Sequence, residues 1–197
     1  MDWRVVTAIV ISTLTLTAGY YHRIFGNVIY DRLVFHLGAP LLTVLVIFRE
    51  SPARYGFRLG EWKAGLALTA AGCIVSTILA MVVARTTPFQ EYYGPQARSA
   101  LPLPISIAIE LFGWAFLFRG FLLFALYRVC GPYAIVLQAV PFAIAHFGKP
   151  EIETLSALFG GSAFGYIAWR TGSFLYPFLI HWCLNVLIVL FAASAAG

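Results

Sequence analysis

Charge is what this sequence has least of. Only 11% of its 197 residues are charged, and just eight of those are acidic. A water-soluble domain carries about a quarter charged residues, so this chain cannot cover a soluble surface. Disorder is excluded from the other side, because a disordered chain needs low hydrophobicity and high charge. Basic clusters are missing as well. The 13 lysines and arginines give a formal charge of +5, yet they stand singly between apolar runs. That speaks against a nucleic-acid partner and fits the orientation signals of a membrane protein. Cysteine is scarce: Cys73, Cys130 and Cys183 share no metal-ligand spacing and sit in or beside apolar runs. They are expected to be buried thiols. No internal repeat is visible. No small-residue cleavage site follows the first apolar run, which therefore reads as a span rather than a signal peptide.

What is present is hydrophobic length. Hydrophobic residues make up 61% of the chain, and the mean hydropathy is +0.86. With about 20 apolar residues needed per span, the expectation is an all-α polytopic transmembrane bundle of six to seven spans, forming one domain over 1–197. Seven apolar stretches can be drawn: Val5–Tyr21, Leu33–Phe48, Ala64–Ala84, Pro104–Tyr127, Gly131–Phe147, Thr154–Trp169 and Ser173–Ala193. Aromatic residues flank many of them, as in the interfacial belt of a bilayer protein. With the N-terminus cytoplasmic, that side holds Arg4, Arg49, Arg54, Arg58, Lys63, Arg128 and Arg170. The other side holds Arg23, Arg32, Arg85, Arg98 and Lys149, so the basic bias favours that orientation. The segment 49–63, RESPARYGFRLGEWK, mixes charges with Tyr55, Phe57, Leu59 and Trp62 and reads as a surface-lying amphipathic stretch.

Ionisable residues inside spans are costly and need a reason. His36 has no partner at helical spacing and reads as a neutral histidine bonded to a neighbouring helix. Arg119 lies in the middle of the fourth stretch, too far from either end to snorkel easily, so a carbonyl or carboxylate partner is expected. His181 and Asn185 are spaced i, i+4 and share one helix face. His146 ends the fifth stretch, with Phe142 one turn earlier. Polar groups on three apolar helices point to convergence on one wet cavity. Ala157, Gly161 and Gly165 form a ridge of small residues suited to close helix packing.

FLFRGFLL, FAIAH (Phe142–His146) and HWCLN (His181–Asn185), in this order on successive spans, resemble the CPBP family of CAAX proteases and bacteriocin-processing intramembrane proteases. The stretch FRLGEWKAG ahead of the third span is also similar to that family. The resemblance implies an intramembrane endopeptidase in which a glutamate activates water, the histidines assist, and the asparagine helps hold the oxyanion. Carried over, the site residues are position 115, Arg119, His146, His181 and Asn185, with no cofactor and no metal. A membrane-anchored protein would be the substrate, in a lipid bilayer taken as the bacterial inner membrane. The loop HFGKPEIE resembles members that process C-terminal sorting signals, the myxosortase-like group. Lys149, Glu151 and Glu153 read equally well as a solvated loop capping the next helix.

One departure matters more than these matches. Where the family carries its glutamates, this chain has Trp114 and Ala115. Ala115 is either a natural loss in a degenerate member or a Glu→Ala replacement made to trap an inactive enzyme. The intact remaining motifs favour the second, and the chain is expected to be inactive. Glu110 is a poor substitute on helical geometry, about 140° around the axis from position 115 and about 7.5 Å along it. It could serve only if the helix breaks at Gly113. The alternative function is a non-catalytic relative that binds a transmembrane peptide or stabilises a membrane complex. A small proton-coupled transporter is weaker still, for want of an inverted repeat.

Overall fold

The computed structural model describes residues 2–22, 24–97 and 102–196. Among the described residues the regular structure is helical throughout, with no strand. Helix α1 (Trp3–Tyr21) starts at Asp2, whose carboxylate accepts the Arg4 N–H at 2.9 Å. That cap satisfies one of the amides a helix start leaves without a partner. Helix α2 (Ile29–Ile47) is wound as a π-helix at Val34–Gly38 and at Thr43–Ile47. Helix α3 (Trp62–Val83) and the short α4 (Thr87–Tyr93) follow. Helix α5 covers 103–130 and opens with Pro104 in its first turn, where the missing N–H is no loss. It passes through a π-wound stretch at Phe116–Leu122 and stops at Gly131, whose φ of 53° only glycine adopts readily. Helix α6 covers 134–144, α7 is Glu151–Thr171 and α8 is Leu175–Ala196.

The seven expected stretches correspond to α1, α2, α3, α5, α6, α7 and α8. Five helical stretches are long and apolar enough to cross a membrane, one of them the 42-residue run Leu103–Ile144 that holds both α5 and α6. Helix α7 has the length, but its glycines and serines keep its hydropathy below that of the others. The chain is an integral-membrane helix bundle. Its outer surface is apolar, as lipid requires: Ile74, Val75, Ile78 and Val82 of α3 are all more than half exposed. The cysteines are half-buried rather than buried, and none forms a disulfide. Cys73 of α3 and Cys183 of α8 lie near each other between the two helices.

Small residues set the closest helix contacts. A Cβ on Gly161 would stand 2.8 Å from the Phe142 ring, and one on Gly165 would stand 2.5 Å from Gln138 Nε2. Gln138 uses that proximity, donating to the Gly161 carbonyl at 2.8 Å and to the Ile135 carbonyl at 2.9 Å. The predicted ridge on α7 is therefore the seam against α6.

Basic residues gather at one end. Glu50 accepts from Tyr55 Oη at 2.8 Å and pairs with Arg128, with Arg4 at 3.4 Å and with Arg54 at 3.6 Å. Arg58 Nε donates to the Gly172 carbonyl at 3.0 Å nearby. Only part of the segment 49–63 lies at the surface. Tyr55 is buried, while Phe57, Leu59 and Trp62 are exposed, Phe57 also packing against Phe112, Phe116 and Phe174. Arg23 and Arg98 of the sidedness count lie outside the described residues.

Burial alone would raise the Glu50 carboxyl, but the hydrogen bonds of Arg128 and Tyr55 and the charges of Arg128 and Arg4 hold it below its ordinary value. A depressed folded value gives stability that is present above the unfolded carboxyl range and lost as pH falls through the folded one. Thermal stability in detergent should therefore drop below about pH 4, and Glu50→Gln should flatten that drop. Gly165→Val should cost about 1–3 kcal/mol by overpacking the α6–α7 seam, read as a melting temperature lowered by several degrees.

Candidate active site

A cavity of about 760 Å³ opens at the end of the bundle away from the Glu50 cluster. It is walled by Tyr20 and Tyr21 of α1, His36 of α2, Tyr92 and Tyr93 of α4, and Glu110, Leu111 and Trp114 of α5. Phe142, His146 and Lys149 close it from α6 and the loop beyond, and His181 and Asn185 from α8. Three of the five expected site residues thus share one space: His146, His181 and Asn185.

Phe142 organises this end. Its carbonyl is 2.7 Å from His146 Nδ1. A carbonyl can only accept, so Nδ1 carries the hydrogen and Nε2 is left with its lone pair. The Phe142 ring stands 4.3 Å from the His146 ring and 5.9 Å from the His181 ring, with Phe164 of α7 5.3 Å from His181. Both imidazoles are therefore held edge-to-ring by the same phenyl group.

Arg119 and Ala115 do not reach the cavity. Ala115 is buried in the apolar core, and Arg119 lies one layer beneath Phe142. The expected carbonyl or carboxylate partner of Arg119 is absent among the described residues: none of its three side-chain nitrogens is hydrogen-bonded. It is instead enclosed by rings, with Cζ 3.8 Å from the Phe142 centroid, 5.3 Å from Phe164 and 5.6 Å from Phe118. The face of a phenyl ring is negative, and desolvated cation–π contacts are worth about 2 kcal/mol or more. The π-wound backbone carries this arginine, and such turns mark functional segments.

The cavity face of α5 is the row Ile107, Glu110, Leu111 and Trp114, spaced i, i+3, i+4, i+7. Glu110 consequently reaches the cavity wall, where it pairs with Arg32 of α2. Rotation about the axis does separate it from position 115, but the cavity lies on its side of the helix and not on that of Ala115. His36 also lines the space, its ring 4.9 Å from Trp114.

A second network was not read from the sequence. Glu153, in the first turn of α7, accepts from Tyr93 Oη with both oxygens at 2.7 and 2.8 Å and from Lys149 Nζ at 2.8 Å. Its Oε1 lies 3.9 Å from His146 Nε2. Burial, then the charge and hydrogen bond of Glu153, raise the Tyr93 phenol well above its ordinary value, so it remains a donor. The i, i+4 spacing of Lys149 and Glu153 was legible; the partner 60 positions upstream was not.

Residues 97–187 match the family model of Rce1-like proteins, described as type II CAAX prenyl endopeptidases. Over these residues the chain is similar to the CAAX-protease family. The match takes in Glu110, Ala115, Arg119, His146, Glu153, His181 and Asn185, so the region of similarity includes the cavity end just described. No curated protein and no solved structure matches the chain. Among the described residues, no three His, Cys, Asp or Glu side chains come together as a metal-ligand set.

Phe142 is the residue whose loss should be felt most widely. Phe142→Leu removes the ring over Arg119 and the packing of both imidazoles. It should destabilise the protein by about 2–4 kcal/mol, measured by denaturant unfolding in micelles. Phe164→Leu, with a more distant ring, should cost less than half as much.

Proposed function

We propose that the protein, against the expectation of inactivity drawn from Ala115, is an intramembrane endopeptidase that hydrolyses a peptide bond near the C-terminal membrane anchor of exported proteins. The observation that carries this reading is the meeting of His146, His181 and Asn185 on one cavity that also holds a carboxylate, Glu110. A water there would attack the scissile carbonyl, with the His181–Asn185 face donating to the oxygen that becomes negative. The myxosortase-like loop resemblance supplies the substrate class. The basic end, with Arg4, Arg54, Arg58 and Arg128, is taken as cytoplasmic by the positive-inside rule. The cavity then opens at the opposite face of a bacterial plasma membrane, where exported chains emerge.

Ala115 favours a second reading, the non-catalytic relative. It replaces the family's glutamate, and its burial in the core gives a longer side chain no direct line to the cavity. The two readings separate in one assay. The full-length protein in liposomes is mixed with single-span reporters whose Leu/Ala anchors carry randomised flanking residues, and products are read by mass spectrometry. The wild-type chain should cleave, and His146→Ala or His181→Ala should lower kcat about 10²–10⁴-fold. A chelator should leave the rate unchanged. Binding of the reporters without cleavage by the wild type would establish the non-catalytic reading.

A further inference from the structure

The family's paired glutamates are absent from positions 114 and 115, yet a carboxylate does stand at a motif histidine. We propose that Glu153 is the general base of this protein, activating water jointly with His146 Nε2; the proposal rests on the endopeptidase reading above. Glu153 Oε1 and His146 Nε2 are 3.9 Å apart. That is too long for a direct hydrogen bond. It suits one water that donates a hydrogen to each: with both contacts at about 2.8 Å, the angle at the water oxygen is about 90°. Such a water has its lone pairs free to attack.

The arrangement is held rigid. The Nδ1 hydrogen of His146 is committed to the Phe142 carbonyl, which aims the Nε2 lone pair outward. Thr154, next to Glu153, donates its hydroxyl to the His146 carbonyl at 2.9 Å, fastening the histidine to the first turn of α7. Tyr93 and Lys149 fix the carboxylate itself. Both of those side chains, like His146, line the cavity, so the Glu153–His146 gap adjoins the space a substrate would enter. Glu110 is placed differently, being tied across to Arg32 on α2.

The step balances without a co-reactant. As the water oxygen bonds to the scissile carbonyl carbon, one of its protons passes to Glu153 and the carbonyl π pair moves onto oxygen. When that pair returns, the C–N bond breaks, and the proton on Glu153 goes to the departing nitrogen. Glu153 is again a carboxylate, and the products are a carboxylic acid and an amine. Lys149 and Tyr93 hold the carboxylate in position between turnovers.

The decisive comparison uses the full-length protein in liposomes with the anchored reporters. Glu153→Gln still accepts from Tyr93, so its melting temperature should stay within a few degrees of wild type. Its kcat should fall about 10²–10⁴-fold with KM nearly unchanged. Glu153→Asp should retain part of the rate, and Glu151→Gln, two residues away and exposed, should behave as wild type. Cleavage by Glu153→Gln within threefold of wild type overturns the proposal and leaves the endopeptidase reading standing. A loss seen in Glu110→Gln and not in Glu153→Gln overturns it in favour of Glu110. A wild-type chain inert toward every reporter overturns the endopeptidase reading, and the proposal with it.

Discussion

The burial of Arg119 against Phe142 is the contact on which the cavity end depends. A guanidinium at the centre of an apolar bundle has to be compensated, and here no carboxylate does so. Three phenyl rings from α5, α6 and α7 do it instead. Because those rings come from three helices, the charge fixes the helices relative to one another. Phe142 then transmits that constraint outward: one face of its ring covers Arg119, its edges meet both imidazoles, and its carbonyl sets the His146 tautomer. The close α6–α7 seam, open only to glycine at Gly161 and Gly165, is what lets Phe142 and Phe164 approach the same guanidinium.

Much of this was legible in the sequence. Runs of apolar residues located each helix, since the need for about 20 such residues per span leaves little freedom. Arg119, His146, His181 and Asn185 stood out because lipid makes polar residues expensive. What hydropathy could not supply was direction. Lipid on one side and apolar core on the other give the same residue types, so the side of α5 that faces the cavity was invisible. Glu110 was set aside by its angle from position 115, when the relevant angle was to the cavity. Nor does composition distinguish an arginine paired with oxygen from one stacked on phenyl rings. The Tyr93–Glu153 bond joins elements 60 residues apart, and no local periodicity marks it.

The two ends of the bundle are built on different principles. At the basic end one carboxylate, Glu50, gathers three arginines and a buried tyrosine, tying α1, the end of α2, the loop at 52–55 and the end of α5. Nothing there is left to react, because each oxygen of Glu50 is saturated by cations and a hydroxyl. At the cavity end the carboxylate of Glu153 is also anchored, but by one cation and one neutral phenol, and one of its oxygens still faces a histidine lone pair. The difference is one of surroundings. Both carboxylates are hydrogen-bonded on both oxygens, but only Glu153 stands beside a histidine lone pair at the edge of a cavity.

That distinction bears on how a chain similar to CAAX proteases could keep the histidine and asparagine motifs while lacking the motif glutamate. General-base catalysis constrains where the carboxylate oxygen stands relative to the water, not which helix delivers it. Position 115 delivers nothing to the cavity in this packing, because the π-wound segment and its rings occupy the core side of α5. The first turn of α7 does reach His146, and the Thr154 hydroxyl on the His146 carbonyl holds that distance. Arg119, relieved of any carboxylate, becomes a structural cation whose partners are aromatic. With alanine at position 115, no carboxylate stands one turn before Arg119, and phenyl rings cover its charge. The histidines line the cavity, and the carboxylate nearest His146 comes from α7.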